Sequence, residues 1–340
     1  MRNLHPRTTL RPRARRHQAV AALLATVVAL ALTACGSSGD GDGDKKGLTK
    51  LGFQTSFLFN AWDAPFFLAL DKGYYEDEGL DVEIREGSGS GAAIQSLLGG
   101  LNDIVEAERA SMSIQASEHE GLVSVAGLKE SNGLAIVSFK DKGIASPADL
   151  RGKTVGITLG SSESGILPAF LKQNGVPADK VKIENIGAAQ KAQFLTSKKV
   201  DAISFVDYSA VSISPLDNLN MITFTDHGLT LLGTGLISTS KFAQEHPEQV
   251  RGFIRATMKA FNEAIADPGP ALDALMKRTK VLKREAAETQ WKMYVEGAPS
   301  PFTGKQSTES WSAMLESLTG AGVIKTPRAP EDYFDNQFVE

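Results

Sequence analysis

The sequence predicts an α/β protein of two lobes, each a mostly parallel sheet with flanking helices, joined by two crossings of the chain. Three observations point there. From Leu51 to Phe139 short apolar runs alternate with helix-period stretches, a pattern that gives parallel strands with crossover helices. A second series of the same kind runs from Ser146 to Phe205. Each series carries a small-residue turn leading into a helix: Gly87-Ser88-Gly89-Ser90-Gly91 in the first, Gly160-Ser161-Ser162-Glu163-Ser164-Gly165 in the second.

Residues 1–34 hold Arg2, Arg7, Arg11, Arg13, Arg15 and Arg16 with no acid, and include an apolar run from Ala19 to Leu32. That run falls short of the about 20 apolar residues of a permanent span, so it reads as a secretory signal behind a basic leader. Its end, Leu32-Thr33-Ala34-Cys35, resembles a bacterial lipobox, in which the cysteine takes a diacylglycerol; an ordinary signal peptide is the rival, and Arg15-Arg16 leaves twin-arginine export open. Cys35 is the sole cysteine of 340 residues, so no internal disulfide is expected and lipidation would hold the protein on the outer face of the cell membrane. Residues 35–47 read as a flexible tether of Gly, Ser, Asp and Lys. Without residues 1–34 the chain keeps 30 basic against 40 acidic residues, a balance of −10. Such a surface matches nucleic acid poorly.

In the first lobe the expected order is a strand at Lys50–Phe53, then a helix from Ala64 to Leu70 with Asp63 as cap, Pro65 in its first turn and Gly73 at its end. Leu80–Ile84 alternates apolar and acidic residues as a strand, and Ile94, Leu97 and Leu98 lie at helical spacing behind the first Gly/Ser turn. Ile104-Val105, a helix near Met112–Ala116 and Leu122–Val125 follow, with Leu134–Phe139 as the strand leaving this lobe. The second lobe reads as Lys153–Thr158, a helix closed by Asn174-Gly175, Val181–Ile183, a helix through Gln193–Leu195, and Val200–Phe205. The chain returns near Leu231–Ser238 into one long helix with Phe242, Val250, Phe253, Ile254, Met258, Phe261 and Ile265 mostly along one face, stopped by Pro268-Gly269-Pro270. Helices around Ala271–Lys277, Arg284–Tyr294 and Thr308–Leu318 pack back on the first lobe, with Trp291 and Trp311 as core anchors. The expected division is 48–138 with 236–340 for lobe 1, and 139–235 for lobe 2.

A Ser/Gly turn at a helix start offers free backbone N–H groups to a bound oxygen; a plain turn and cap is the other reading. Gly87–Gly91 lacks the spacing of a dinucleotide fingerprint. Phe57, Phe59, Trp62 and Phe66 crowd the start of the first helix, and Trp62, in the loop, is the favoured stacking partner for a flat ring. Glu106, Glu108 and Asp207 fall at strand ends, where clefts of open α/β sheets lie. Singly each reads as a solvated carboxylate; together with Asp63 they accept hydrogen bonds from amino or ring N–H groups and repel sulfonate or nitrate. The candidate binding set is Trp62, Asp63, Phe66, Ser88, Gly89, Ser90, Gly91, Glu106, Glu108, Ser161, Ser162, Glu163, Asp207 and Tyr208. His119, His227 and His246, the histidines beyond the leader, have no zinc spacing, and neither a metal, a cofactor nor a catalytic set is expected.

Trp62, Ala64-Pro65-Phe66-Phe67-Leu68-Ala69, Lys72-Gly73-Tyr74-Tyr75, Glu78-Gly79-Leu80-Asp81-Val82, and Gly99 with Asp103 resemble the opening of the solute-binding proteins of ABC importers for nitrate, sulfonates, taurine and thiamine pyrimidine precursors. The likeness runs from about Leu51 to the C-terminus and weakens after Pro301. It implies a type II periplasmic-binding-protein fold, a monomer that is not an enzyme, capture of a small solute by hinge closure, and an ABC permease with its ATPase as partners. Glu106-Ala107-Glu108 resembles the acidic segment of thiamine-precursor and riboflavin binders, which favours a pyrimidine-like heteroaromatic ligand over a sulfonate, taurine or nitrate. Many relatives carry a histidine before the Ala-Pro pair, where this chain has Asp63. Two other classes remain: an enzyme like the thiamine pyrimidine synthases, whose cysteine-rich motif is not in this sequence, and a scaffold lipoprotein that binds no solute.

Overall fold

Period-two apolar runs become strands here, and the glycine-bounded apolar stretches between them become helices, in a computed structural model that describes residues 47–159 and 161–339. The signal, Cys35, the tether up to residue 46 and Gly160 lie outside the described residues.

The first sheet starts with β1 (Thr49–Gln54), α1 (Ala64–Asp71), α2 (Tyr74–Asp77), β2 (Leu80–Arg85), α3 (Ser90–Leu98), β3 (Ile104–Glu108), α4 (Arg109–Ala116) and β4 (Leu122–Gly127). The chain then enters a second sheet through β5 (Leu134–Phe139), β6 (Thr154–Ile157), α5 (Ser162–Gln173), β7 (Lys182–Asn185), α6 (Lys191–Thr196), β8 (Ala202–Val206) and β9 (Leu219–Thr223). It returns to the first through β10 (Thr234–Thr239) and ends in α7 (Ser240–Glu245), α8 (Pro247–Ala266), α9 (Pro268–Met276), α10 (Arg284–Tyr294) and α11 (Thr308–Gly320). The sheet orders are β2-β1-β3-β10-β4 and β7-β6-β8-β5-β9.

In both sheets the three strands β2-β1-β3 and β7-β6-β8 are parallel, and the strand by which the chain arrives from the other sheet runs against them. Leu134–Phe139, expected to close the first lobe, instead pairs with β8 and β9 in the second sheet. Apolar patterning identifies a strand but carries no information on which sheet takes it. Leu219–Thr223 was not expected as a strand: it is short, and Met221 on it is exposed. The single long helix is two, broken at His246 with Pro247 in the first turn of α8. Pro268 likewise opens α9, with the Asp267 carboxylate taking the Gly269 N–H at 3.0 Å as its cap.

The α1 helix is apolar all round because it is sandwiched: it packs on α8 and α9 while Phe66 reaches the sheet. Phe66 lies 4.7 Å from the Phe53 ring of β1 and 5.7 Å from Phe261 of α8, and Tyr75 stacks on Phe253 at 5.1 Å. Trp291 and Trp311 are buried, their indole N–H groups donating to Ala264 O at 3.2 Å and Gln306 Oε1 at 3.3 Å. A second apolar cluster runs from Ile94, Val105 and Met112 into Ile136, Ile166 and Phe170, so packing is continuous past the crossings.

Candidate functional site

The carboxyl ends of β3 and β8 face a cavity of about 190 Å³, against the about 10–15 Å³ that a cavity needs to hold one water. One wall is the loop Ser56–Asn60 with Trp62, Gly89, Ser90 and Glu108; the other is Ser161–Glu163, Ala188, Ala189, Lys191, Ser204–Val206, Tyr208 and Ser209. Trp62 and Tyr208 meet across it edge to face at 5.1 Å, and Tyr294 of α10 completes the trio, 5.5 Å from Tyr208 and 6.2 Å from Trp62.

All five residues of β3 are buried, Glu106 and Glu108 among them: it is an inner strand between β1 and β10, and α3 and α4 pack on it. Glu106 Oε2 accepts from the Ser56 N–H at 3.1 Å and the Ser56 hydroxyl at 3.0 Å, which fixes the cavity loop. Asp63 Oδ2 accepts from the Asn60 N–H at 2.8 Å. Burial pushes the Asp63 carboxyl well up, the facing Glu106 adds to this, and burial raises Glu106 too. Burial also raises Glu108 to about 7, partly offset by the Ser162 hydroxyl from the opposite wall. Glu163 is the exception: burial pushes it up, yet the Lys191 ammonium outweighs this and holds it below the ordinary range. Lys191 binds Glu163 Oε1 and donates to Ser204 O at 2.9 Å, and Glu163 Oε1 also takes the Thr158 N–H at 3.1 Å.

Of the residues expected from sequence, Trp62, Gly89, Ser90, Glu108, Ser161, Ser162, Glu163 and Tyr208 line the cavity. Others do not. Phe66 is fully buried in the core, Ser88 is exposed, and Gly91 lines an adjoining groove shared with Ser161 and Ser162. Glu106 and Asp63 form the floor beneath the lining, and Asp63 makes no side-chain cap to α1 because the 3₁₀ turn Ala61–Asp63 already leads into that helix. Asp207 stands at the crossing, its N–H donating to Gly133 O at 2.8 Å. The N–H groups of the first Gly/Ser turn are partly spent: Gly87 donates to Phe57 O at 3.1 Å and Gly89 to Ser56 O at 2.9 Å. Sequence reasoning missed Lys191, Ser204 and Ser209. A serine inside the apolar run Ala202-Ile203-Ser204-Phe205-Val206 was the signal available for one of them.

Three lining atoms, Glu108 Oε2, Ser204 Oγ and Ser209 Oγ, are buried without a hydrogen-bond partner. Among the described residues no group of three or more His, Cys, Asp and Glu side chains could hold a metal ion, and no helix is long and apolar enough to cross a membrane.

The chain is 24% identical over 297 residues to the riboflavin-binding protein RibY of Chloroflexus aurantiacus, covering 84% of each chain. It is 24% identical over 287 residues to the formylaminopyrimidine-binding protein of Halalkalibacterium halodurans, covering 82% of this chain and 87% of that one. The alkanesulfonate-binding protein SsuA of Xanthomonas axonopodis pv. citri, solved with MOPS bound, shares the fold with a TM-score of 0.66 at 16% identity over 84% of this chain and 98% of its own. Residues 60–271 match the family described as NMT1/THI5 like. With more than half its length inside that match and this two-sheet fold around a cleft, the chain belongs to the NMT1/THI5-like family.

Proposed function

We propose that the protein is the substrate-binding lipoprotein of an ABC importer, held outside the cell by Cys35, and that it captures an amino-substituted heteroaromatic solute of pyrimidine type. The observation that carries this reading is the trio Glu108 Oε2, Ser204 Oγ and Ser209 Oγ, buried and unpartnered in an aromatic-walled cavity. An orphaned buried polar atom costs about 1–3 kcal/mol, so three of them on one cavity form a binding template. A ring lying against the Trp62–Tyr208 pair would present an amino group to the Glu108 carboxylate and further polar groups to the two hydroxyls. The binders of riboflavin and of formylaminopyrimidine among the relatives support that chemistry.

A sulfonate or nitrate suits the cavity less well. Among the described residues Lys191 is the one lining cation, and it is already committed to Glu163 and Ser204 O. An enzyme reading would draw on the carboxylates and hydroxyls of this lining as base or nucleophile, and turnover of a solute is the outcome that separates it from capture.

Capture proceeds by closure of two lobes, divided at the crossings 128–133 and 224–233, and a permease takes the closed form. A thermal-shift screen with aminopyrimidines, flavins, taurine, alkanesulfonates and nitrate tests the reading. Stabilisation by the heteroaromatics, returned chemically unchanged by mass spectrometry, is the expected result. Stabilisation by sulfonates alone, turnover of the solute, or no stabilisation by any of them would each overturn it.

A further inference from the structure

The strand ends on the two sides of the cavity share one arrangement: a residue in the cavity and, beside it in sequence, a residue on the chain crossings. After β3, Glu108 lines the cavity while Arg109, 1% exposed, turns away. Its Nη2 donates to Lys129 O at 2.6 Å on the first crossing, and its Nε and backbone N–H donate to Gly233 O at 3.3 and 3.0 Å on the second. Glu130 stands 3.6 Å from the same guanidinium. After β8, Tyr208 lines the cavity while Asp207 engages the crossing from the other lobe: its N–H bonds Gly133 O, its Oδ1 takes the Tyr208 N–H at 2.6 Å, and its charge acts on Lys129. Gly133 is at φ +63, and a Cβ there would stand 2.5 Å from Asp207 Oδ1. Between these two grips the crossings pair with one another, Gly233 N–H to Glu130 O at 3.0 Å and Asn132 N–H to Leu231 O at 3.1 Å.

We propose that Arg109 and Asp207 form a two-sided hinge clamp, positioning residues that set the angle between the lobes and convey contact made at Glu108 and Tyr208 to the crossings. A planar guanidinium holds two carbonyls at a separation set by its rigid fork, whereas the rotatable donors of an ammonium fix that geometry less tightly. Each cavity residue is one peptide bond from its clamp residue, so a solute that pulls Glu108 towards Tyr208 also loads both grips. The solute-driven half rests on the binding reading above; the clamp itself is tested without a solute.

The experiment uses the full chain with Cys35→Ser and dyes at Glu120→Cys and Lys182→Cys, both exposed, one on each side of the crossings. Single-molecule energy transfer then reads the interlobe distance in the absence of any solute. Arg109→Met, which removes the guanidinium bonds to Lys129 O and Gly233 O, and Gly133→Ala, whose Cβ would stand 2.5 Å from Asp207 Oδ1, should each raise the extended fraction about tenfold, roughly the worth of one charged hydrogen bond, with Arg109→Lys in between. Urea midpoints identify the folded variants. Folded variants with the wild-type distance distribution would overturn the proposal. If Arg109→Met does not fold, Arg109→Lys and Gly133→Ala decide, and an unchanged distribution in the folded ones overturns it equally. A failed solute screen leaves these distances unaffected, and unchanged distances leave the solute reading standing.

Discussion

Replacing Lys191 with methionine removes the cation from a buried pair while keeping most of its apolar volume. Glu163 then stays buried with only neutral partners, the Thr158 N–H at 3.1 Å and the Ser161 hydroxyl, and Ser204 O loses its 2.9 Å donor. Breaking a buried pair on one side costs about 3–5 kcal/mol, against a total stability of about 5–15 kcal/mol for a folded domain. Lys191→Met should therefore lower the urea midpoint sharply, and Glu163→Gln with Lys191→Met should recover much of the loss, because neither charge is then left unpaired. The pair also fixes a pH signature. Since Glu163 is held below its ordinary 4.5, its contribution to stability is complete above about pH 4.5 and is lost as pH falls through the lower folded value. A double-mutant cycle from urea unfolding at pH 7 measures the coupling. A single-variant loss under about 1 kcal/mol, no larger than an exposed pair gives, would refute the claim that this pair braces the second wall.

Glu108 titrates in the opposite sense: raised from 4.5 to about 7, its contribution is complete below about pH 4.5 and lost as pH rises through about 7, a swing of about 3 kcal/mol. Glu108→Gln should flatten the urea midpoint across that window, and an identical slope in variant and wild type would remove Glu108 from the account. Trp62→Ala, at a site 5% exposed between Tyr208 and Tyr294, should cost about 3–5 kcal/mol of stability as well as affinity, so Trp62→Phe is the cleaner binding variant, read by denaturation and calorimetry. Gly87→Ala would place a Cβ 2.1 Å from Thr55 O and should destabilise by about 1–3 kcal/mol or more, whereas Gly165→Ala meets ordinary contact at 3.9 Å and should stabilise α5 by about 0.5–1 kcal/mol. Thermal melts of the two separate a turn that needs glycine from a helix position that tolerates a side chain.

The elements were legible where local pattern decides them. Leu80–Ile84 alternates apolar and acidic residues and forms an edge strand of the first sheet; Pro65 and Gly73 bracket α1 as their backbone chemistry requires. Partnership was not legible. The same kind of apolar run gives Leu134–Phe139 to the second sheet and Thr234–Thr239 to the first, a choice made by long-range pairing alone. At the cavity, Glu108 and Tyr208 stood out because they follow strands, but Lys191 could not: nothing local separates it from Lys198 and Lys199, which are exposed on the same stretch. The roles of Glu163 and Asp207 were hidden for a related reason, since their partners lie 28 and about 70 residues away in sequence.

The floor of the cavity explains why so many acids are placed where burial opposes them. Two carboxylates about 4 Å apart repel by about 4 kcal/mol even at an effective dielectric of 20. Asp63 and Glu106 each leave one buried oxygen without a hydrogen-bond partner, and burial together with this repulsion raises the Asp63 carboxyl, as burial raises Glu106. Their other oxygens are used structurally: Glu106 holds Ser56 at both its N–H and its hydroxyl, and Asp63 holds the Asn60 N–H. The loop between those anchors carries Phe57, Leu58 and Phe59 into the cavity wall. A wall fixed at both ends before the solute arrives loses less conformational freedom on binding. Stability given up in burying the acid pair thus returns as a preorganised aromatic wall, and Glu108, whose carboxyl titrates near neutrality, is left to meet the solute.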